Sequence, residues 1–370
     1  MPALFWLFVL LLQFILYLTH WFLYFTIIRF FNLPSLGAVY LKYFLTAASF
    51  SFILASLLVF RHHDWLSRTF YTITASWLGL LNFLLLGSIL AWTIFLIGRL
   101  TGFTTNKTLL LSLTLGLGLI ISLYGLINAA LPRVKSIAVR LNNLPDYWLG
   151  KSLVFISDVH LGPIYTARYA QSLVNKINQL KPTLVLIGGD YYDGTSIDAA
   201  TAATPLKNLQ TTDGVYFITG NHEPLGDSAS YTMALRNVNV HILNNNLVNL
   251  QGLQLIGFDY ASTTTKADYQ KIAQSINFNP ELPSLVIRHT PTYLDVLQNL
   301  KMGDLQLYGH THRGQMWPYH YLTHWVYRGF DYGFKRLNQS LIYTSGGVGT
   351  WGPPLKVGSS PEIVLIKFLQ

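Results

Sequence analysis

Four long apolar runs in the first 132 residues constrain the fold more than any other feature of the sequence. Lys42 is the only charged side chain inside these runs, which cover residues 1–28, 36–60, 69–98 and 108–131. A helix of about 20 residues crosses the hydrocarbon core of a bilayer, so each run is long enough to span it. A soluble protein would need four successive helices that are apolar on every side, which is not expected. The sequence therefore predicts a multi-pass transmembrane helical domain with four spans at residues 1–132.

The charges of the connecting loops do not fix the side of the membrane on which the rest of the chain lies. With four spans, the amino terminus and the large second part of the chain share one side. Five basic residues flank the spans on that side and four on the other, and long domains cross membranes regardless of so small a bias. The first group is Arg61, Arg68, Arg133, Lys135 and Arg140, and the second is Arg29, Lys42, Arg99 and Lys107.

Charge and cysteine content narrow the chemistry of the second part of the chain. Residues 151–370 carry 16 basic and 14 acidic side chains, so most of the net charge of +9 belongs to the first 150 residues. Such a balance does not indicate a surface for polyanions, and no nucleic-acid partner is expected. Because the chain contains no cysteine, metal ligands would have to be His, Asp, Glu or Asn.

Residues 133–370 alternate between strand-like and helix-like patterns, which predicts an α/β layered domain. Strands are predicted at 137–141, 153–156, 184–187, 215–218, 253–256, 285–287, 305–308, 341–343 and 363–366. Apolar residues at helical spacing lie at 170–177, 269–276 and 294–300. Most of the strands are apolar throughout, as expected for strands that are buried on both faces.

Metal-binding residue types follow five of these strands, each just past the strand's end. Asp190 follows a glycine pair, which delivers its carboxylate to the place where open α/β sheets bind ligands. Singly, each segment could be a turn, a cap or a histidine bonded to a backbone carbonyl. Independent turns would not supply Asp, His and Asn at five such positions, so we expect them to converge on two metal ions. The segments are Asp158-Val159-His160, Gly189-Asp190 with Asp193, Gly220-Asn221-His222-Glu223, His289-Thr290-Pro291 and Gly309-His310-Thr311-His312; His241 lies outside them.

The order of these segments resembles the calcineurin-like metallophosphoesterase superfamily. Within it, the chain is most similar to a membrane-associated branch that has a multi-pass membrane region before the phosphoesterase domain. That branch carries a Gly-His-Thr-His-x-Gly-Gln segment and a Gly-x-Gly-Thr-x-Gly segment, which correspond here to residues 309–315 and 347–352. The resemblance covers residues 133–370 and implies a layered β-sandwich flanked by helices.

The same resemblance implies a pair of divalent transition-metal ions that share one carboxylate. One ion would be held by Asp158, His160, Asp190 and His312, and the other by Asp190, Asn221, His289 and His310. Mixed imidazole and oxygen ligands suit Mn, Fe or Zn. Two such ions polarise phosphoryl oxygens and activate a water molecule for attack on phosphorus.

Four further residues receive roles from the resemblance. His222 would lie near the leaving-group oxygen as a general acid or charge stabiliser, and Glu223 is expected to orient it. Asp193 is expected to orient its own loop. Arg313 stands where this branch usually has glycine, and its guanidinium is either a clamp for the substrate phosphate or a solvated surface group.

An aromatic segment at residues 317–334 receives no role from the resemblance. It contains eight aromatic residues with Arg328 interleaved, and Lys335 and Arg336 follow it. This composition is typical of a membrane headgroup boundary or a cap over a substrate. Core packing around an irregular loop is the competing interpretation.

The leading hypothesis is an integral-membrane phosphoesterase that hydrolyses a phosphate ester or pyrophosphate. Its partners would be the lipid bilayer and a phosphoester substrate, and the aromatic segment with the membrane tether favours a lipid-linked one. A second hypothesis keeps the chemistry but gives it a soluble phosphodiester or phosphomonoester. A third makes the metal domain a non-catalytic regulator of a membrane module. The resemblance to exported relatives favours the extracytoplasmic side for the second domain.

Overall fold

The computed structural model describes residues 3–62 and 64–369. Met1 and Pro2, where the first predicted apolar run begins, and Gln370, at the end of the second predicted domain, lie outside the described residues. The chain forms two compact units. The first is Met1–Ile127 with Gly352–Leu355, and the second is Asn128–Trp351 with Lys356–Gln370. The division falls a few residues before the boundary drawn from the sequence, and one short segment from the second half joins the first unit.

Four long apolar helices make up most of the first unit, which confirms their prediction from the sequence. Each is long and apolar enough to cross a membrane. At the start of the third, Asp64 accepts hydrogen bonds from Leu66 N and Ser67 N at 3.0 Å, which satisfies N–H groups that the helix leaves free. The helices are α1 (Ala3–Phe31), α2 (Ser35–Val59), α3 (Trp65–Thr101) and α4 (Lys107–Ala129).

Glycines let α3 and α4 pack closely. A side-chain carbon at Gly87 would lie 2.6 Å from Thr114 O, and one at Gly118 would lie 2.7 Å from Phe83 O. Neither position therefore tolerates a larger residue without moving the neighbouring helix. Small residues at such crossings are typical of helices in membranes, where close backbone approach replaces hydrophobic burial as the source of association.

The second unit alternates strands and helices as predicted. The strands that the sequence indicated are all present, together with three short ones that it did not indicate, β5, β6 and β10. The elements are β1 (Arg133–Val139), β2 (Ser152–Ile156), α5 (Ala167–Gln179), β3 (Leu184–Ile187), α6 (Ala199–Ala203), β4 (Val215–Phe217), α7 (Ser228–Arg236), β5 (Val240–Ile242), β6 (Asn246–Leu250), β7 (Leu253–Phe258), α8 (Lys266–Ser275), β8 (Ser284–Arg288), α9 (Leu294–Leu300), β9 (Leu305–Tyr308), α10 (His320–Val326), β10 (Gly333–Leu337), β11 (Ser340–Thr344) and β12 (Glu362–Phe368).

Two six-stranded sheets pack face to face, and helices cover their outer faces. Their strand orders are β1-β12-β2-β3-β4-β5 and β10-β11-β9-β8-β7-β6. Side chains alternate between two cores: Leu153 and Phe155 of β2 point between the sheets, whereas Val154 and Ile156 pack with the helices outside. Each such fully buried side chain contributes about 1.5–3 kcal/mol of transfer free energy. The layered β-sandwich with flanking helices is therefore confirmed.

Parallel pairing brings the ends of the central strands to one edge of each sheet. β2, β3 and β4 are consecutive parallel neighbours in the first sheet. β8 and β9 are parallel neighbours in the second. The loops that follow these five strands carry the five segments singled out in the sequence, and the two sheets bring them together.

Candidate metal centre

Backbone hydrogen bonds join the loops after β2, β3, β8 and β9 into one cluster. Asp158 N donates to Gly189 O at 3.0 Å, and Gly309 N donates to His289 O at 2.9 Å. His310 N donates to the Asp158 carboxylate at 3.0 Å, which links the loops of the two sheets. The local folding of each strand end therefore fixes where its polar side chain points.

The first group of donors contains Asp158, His160 and His312, whose ligand atoms lie within 4.8 Å of one another. His160 Nε2 is 3.1 Å from His312 Nε2. His312 Nε2 is 3.5 Å from Asp158 Oδ1. His160 Nε2 is also 3.8 Å from Asp190 Oδ2, so Asp190 borders this group.

The second group contains Asp190, His289 and His310, again with ligand atoms within 4.8 Å of one another. His289 Nε2 lies 3.1 Å from Asp190 Oδ2 and 3.1 Å from Asn221 Oδ1. Asn221 thus adds an amide oxygen to this group. Oδ2 of Asp190 thus lies near one histidine of each group, at 3.1 Å from His289 Nε2 and 3.8 Å from His160 Nε2.

The closest donor pairs in the two groups have the spacing of ligands on a common metal ion. Ligands at about 2.1 Å from a common ion lie roughly 3–3.5 Å apart in tetrahedral or octahedral geometry, and the closest donor pairs here lie 3.1 Å apart. Burial lowers the pKa of His310 to about 3, with a further contribution from His289. His310 is therefore neutral at physiological pH, which is the form of imidazole that binds a metal.

The electric field in the cluster favours a cation. Asp158 and Asp190 are almost completely buried, with 0% and 2% of their surface exposed. Burial alone would lower the pKa of His289, yet the neighbouring Asp190 and then Asp158 raise it to about 9. A site that holds a proton this strongly on a buried imidazole attracts positive charge, and a divalent ion satisfies the same need.

His222 lies at the edge of the first group rather than at its centre. Its ring meets the His160 ring edge-on, with centroids 4.7 Å apart. His222 Nδ1 lies 2.9 Å from the backbone oxygen of Asp193, which can only accept, so Nδ1 carries the hydrogen. Asp193 Oδ1 lies 3.0 Å from His160 Nδ1 and orients that ring. His160, Asp193 and His222 also have ligand atoms within 4.8 Å of one another, so His222 itself could reach a metal.

Comparison with known proteins gives this arrangement a family. The model for calcineurin-like phosphoesterases matches residues 151–314. An uncharacterized metallophosphoesterase of Campylobacter jejuni subsp. jejuni is 32% identical over 343 residues, which cover 88% of this chain and 90% of that protein. The chain belongs to the calcineurin-like phosphoesterase family. Members of this family typically bind divalent metal ions, in agreement with the two donor groups.

Among the other relatives, one has a name that combines a transmembrane protein with a metallophosphoesterase domain. A Bos taurus protein named transmembrane protein with metallophosphoesterase domain is 29% identical over 350 residues, covering 86% of this chain and 78% of that protein. An uncharacterized metallophosphoesterase of Helicobacter pylori is 30% identical over 242 residues, or 65% of each chain. Similarity to the Campylobacter jejuni and Bos taurus proteins extends over most of the chain. Together with the four apolar helices, it supports a membrane protein.

The Glu223 carboxylate contacts backbone N–H groups and Asp193 O holds the His222 ring, so the expectation that Glu223 orients His222 is wrong. The fully buried carboxylate accepts hydrogen bonds at 2.6–3.2 Å from four backbone N–H groups, those of Asp190, Tyr191, Tyr192 and Gly220. Burial raises the pKa of Glu223 to about 7, and the nearby Asp190 adds to the rise. These N–H groups have no partner within a strand or helix, and Glu223 accepts their hydrogen bonds. Glu223 therefore stabilises the turn that carries Asp190.

We expect Glu223→Gln to lower the thermal midpoint of unfolding by about 2–12 °C. An amide has one acceptor oxygen where the carboxylate has two, and a buried donor left unpaired costs about 1–3 kcal/mol. In a domain of this size, 1 kcal/mol corresponds to about 2–4 °C. Thermal unfolding of the purified full-length protein measures the change, with exposed Glu281→Gln as the control. Identical midpoints for Glu223→Gln and wild type would contradict this role.

Arg313 lies directly after His312 in the loop that follows β9. Its guanidinium carbon sits 4.4 Å above the centre of the Tyr332 ring. Tyr332 in turn donates to Glu362 at 3.1 Å. Arg313 as a whole is partly exposed, and its guanidinium packs on the Tyr332 ring, as guanidinium groups commonly do on aromatic faces.

Gln315 and Trp351 form a contact that sequence reasoning did not assign. Gln315 Nε2 donates to Trp351 O at 3.0 Å, and Trp351 N donates to Gln315 Oε1 at 2.9 Å. The Trp351 ring, 60% exposed, lies edge-on to His222 with centroids 6.1 Å apart. The only sequence signal was that each residue belongs to one of the two terminal glycine-rich segments. Their pairing joins those segments beside the cluster.

Proposed function

We propose that this chain is a membrane-bound phosphoesterase that uses two metal ions to hydrolyse a phosphate ester or pyrophosphate bond, with a lipid-linked substrate. Residues 1–132 form its multi-pass membrane domain, and residues 133–370 form its hydrolase domain. The observation that carries the proposal is Asp190, whose carboxylate oxygen lies 3.1 Å from His289 Nε2 and 3.8 Å from His160 Nε2, between the two donor groups.

Seven side chains would hold the ions, which we propose to be Mn, Fe or Zn. Neutral imidazoles with carboxylate and amide oxygens suit these metals better than Ca²⁺ or Mg²⁺, which prefer oxygen alone. When bound, the ions would supply polarisation of the phosphoryl oxygens and a water of lowered pKa. The first ion would have Asp158, His160, Asp190 and His312, and the second Asp190, Asn221, His289 and His310.

His222 serves the leaving group in this proposal. Because Nδ1–H donates to Asp193 O at 2.9 Å, the ring is fixed in one orientation and Nε2 is the atom free to exchange a proton. Protonated Nε2 donates that proton to the departing oxygen as the phosphorus–oxygen bond breaks. Asp193 supports both rings, since its backbone oxygen holds His222 and its carboxylate holds His160.

Arg313 binds the substrate phosphate in this proposal, and Arg313→Ala is expected to raise KM by about 10-fold with little change in kcat. A charge-assisted hydrogen bond contributes about 1.5–3 kcal/mol, and about 1.4 kcal/mol corresponds to tenfold in affinity. Stacking on the Tyr332 ring restricts the orientation of the guanidinium, which supports this role. Steady-state kinetics on the best substrate measure KM, with exposed Arg236→Ala as the matched control. An unchanged KM would show that Arg313 does not bind the substrate phosphate.

A substrate panel on the purified full-length protein with Mn²⁺ added tests the function. The panel contains aryl phosphodiesters and monoesters, nucleotides, and detergent-dispersed phospholipids and nucleotide-linked lipids. Hydrolysis confined to the dispersed lipids is expected. Hydrolysis of small soluble esters would instead support an anchored enzyme for soluble substrates, and no hydrolysis would support a non-catalytic metal domain. Asp190→Asn, assayed in parallel, controls for contaminating hydrolases.

A further inference from the structure

One face of α10 is apolar and exposed although the helix lies in the hydrolase unit. Tyr321, Leu322, Trp325 and Val326 make up this apolar face of α10. Trp325 is 77% exposed and Leu322 is 55% exposed. Their positions at i, i+1, i+4 and i+5 put all four side chains on one side of a helix. A soluble surface rarely exposes a contiguous apolar patch without a partner for it.

The opposite side of α10 is tied to the loop that carries His310 and His312. Thr323 Oγ1 donates to Asp331 Oδ2 at 3.2 Å. Thr311, which stands between the two histidines, donates to Asp331 O at 2.6 Å. The Tyr327 ring, just after the helix, lies edge-on to the His310 ring with centroids 6.2 Å apart. The buried Asp331 thus connects α10, through Thr323, to the loop of the donor histidines, through Thr311. This connection fixes the position of the apolar face relative to the donor groups.

The charge around α10 points to an anionic surface. Between residues 312 and 340 the chain carries four basic side chains, Arg313, Arg328, Lys335 and Arg336, and one acidic side chain, Asp331. Asp331 is buried and paired with Thr323 and His324, so it does not offset the positive charge outside. Aromatic and aliphatic side chains next to basic ones match the boundary between lipid headgroups and acyl chains.

The short connection after α4 tethers the hydrolase domain to the lipid surface. α4 ends at Ala129 and β1 begins at Arg133, so three residues separate a membrane-spanning helix from the hydrolase domain. The bilayer is thus present at high effective concentration for any lipid-binding face of that domain. At seven residues, α10 is too short to cross a membrane and would lie in the plane of its surface.

We propose that the apolar face of α10 lies in the headgroup region of the same membrane that the four helices cross. Trp325 and Leu322 enter the boundary with the acyl chains, and Arg328 and Arg336 lie at the level of the lipid phosphates. The tie through Asp331 and Thr311 then holds the donor groups at a constant distance from the lipid surface. This docking does not depend on the proposed hydrolysis, because it follows from exposure and charge alone.

Spin labelling of the full-length chain in nanodiscs tests the proposal. The sequence contains no cysteine, so Trp325→Cys or Leu322→Cys gives a single labelling site without other changes. Met233→Cys on α7 is the matched control, because Met233 is an apolar residue with 62% exposure on the same unit. Nanodiscs of phosphatidylglycerol and phosphatidylethanolamine supply the anionic surface.

Labels at 322 and 325 are expected to collide several-fold more with oxygen than with a water-soluble nickel complex, and the label at 233 the reverse. In nanodiscs of phosphatidylcholine alone, the preference for oxygen at 322 and 325 should shrink. A preference for the nickel complex at both α10 sites would overturn the proposal. Low accessibility to both reagents would also overturn it, since that result means contact with protein. Leu322→Cys keeps the test valid if Trp325→Cys fails to fold, and the thermal midpoint of each variant reports folding.

Discussion

Replacing Asp190 with asparagine is expected to remove metal from both donor groups and to slow phosphoester hydrolysis by about 1,000-fold or more. We propose that this carboxylate is a ligand of both ions, since it lies 3.1 Å from His289 Nε2 and 3.8 Å from His160 Nε2. Metal ions stabilise the charge of a phosphoryl transition state by several kcal/mol, and each 1.36 kcal/mol is tenfold in rate. Losing both ions therefore has a larger effect than losing any ligand that serves one.

Asparagine at this position separates the loss of metal from a loss of folding. Asp190 has a left-handed backbone, with φ of 52°, and asparagine adopts that conformation more readily than most residues. Its Oδ1 accepts a hydrogen bond from His222 N at 2.8 Å, and an amide oxygen can accept the same bond. We therefore expect Asp190→Asn to fold with the wild-type arrangement of loops.

Elemental analysis of the full-length protein in detergent measures the metal content of Asp190→Asn, and the substrate panel measures its activity. Asp295→Asn is the matched control, because Asp295 is about half exposed, forms an ion pair with Lys266 and belongs to neither donor group. The control should retain wild-type metal and activity. Full metal content in Asp190→Asn would rule out a shared ligand and with it the proposed two-metal site.

The positions of the donor residues could be predicted because strand ends are visible in the sequence. Leu184–Ile187 is apolar throughout and ends at a glycine pair, so Asp190 had to follow a buried strand. Asp158 and His289 likewise lie just past the apolar runs 153–156 and 285–287, although no glycine pair ends those runs. Parallel neighbours place their carboxyl ends along one edge. For this reason, the pattern of strand ends was enough to predict that residues more than 150 positions apart, such as His160 and His312, converge.

Elements without a clear pattern could not be predicted. β6 reads Asn-Leu-Val-Asn-Leu, and β5 has three residues, so neither gives a run long enough for an assignment. α10 was missed for another reason. With seven residues it is shorter than the window of about 11–18 residues in which helical periodicity is recognised, so its apolar face does not stand out among the aromatic residues of 317–334.

The role of Glu223 could not be predicted because it depends on tertiary packing. Its position after His222 suggests a neighbour that orients the ring. In the structure, the turn after β4 instead folds against the turn after β3, and the carboxylate points to backbone N–H groups of Asp190 and Tyr191. A buried carboxylate binds the backbone N–H groups that lack another partner. The local sequence does not show which N–H groups those are.

His222→Ala is expected to slow hydrolysis by about 100- to 10,000-fold while metal content stays at the wild-type level. The backbone N–H of His222, which donates to Asp190 Oδ1 at 2.8 Å, is unaffected by the substitution. The loss should be smaller for a detergent-dispersed phospholipid ester of p-nitrophenol than for the corresponding ester of phenol, because nitrophenolate departs without a proton donor. This difference separates proton donation from a general disturbance of the site.

The leaving-group comparison and elemental analysis are made on His222→Ala beside His241→Ala as control. His241 lies on β5 and stacks on Tyr216 with centroids 5.0 Å apart, outside both donor groups. Its variant should keep wild-type rates with both esters. If His222→Ala loses as much metal as Asp190→Asn, then the group formed by His160, Asp193 and His222 binds an ion, and His222 is a ligand rather than the proton donor. An equal loss of rate with both esters and full metal would leave His222 with a charge-stabilising role alone.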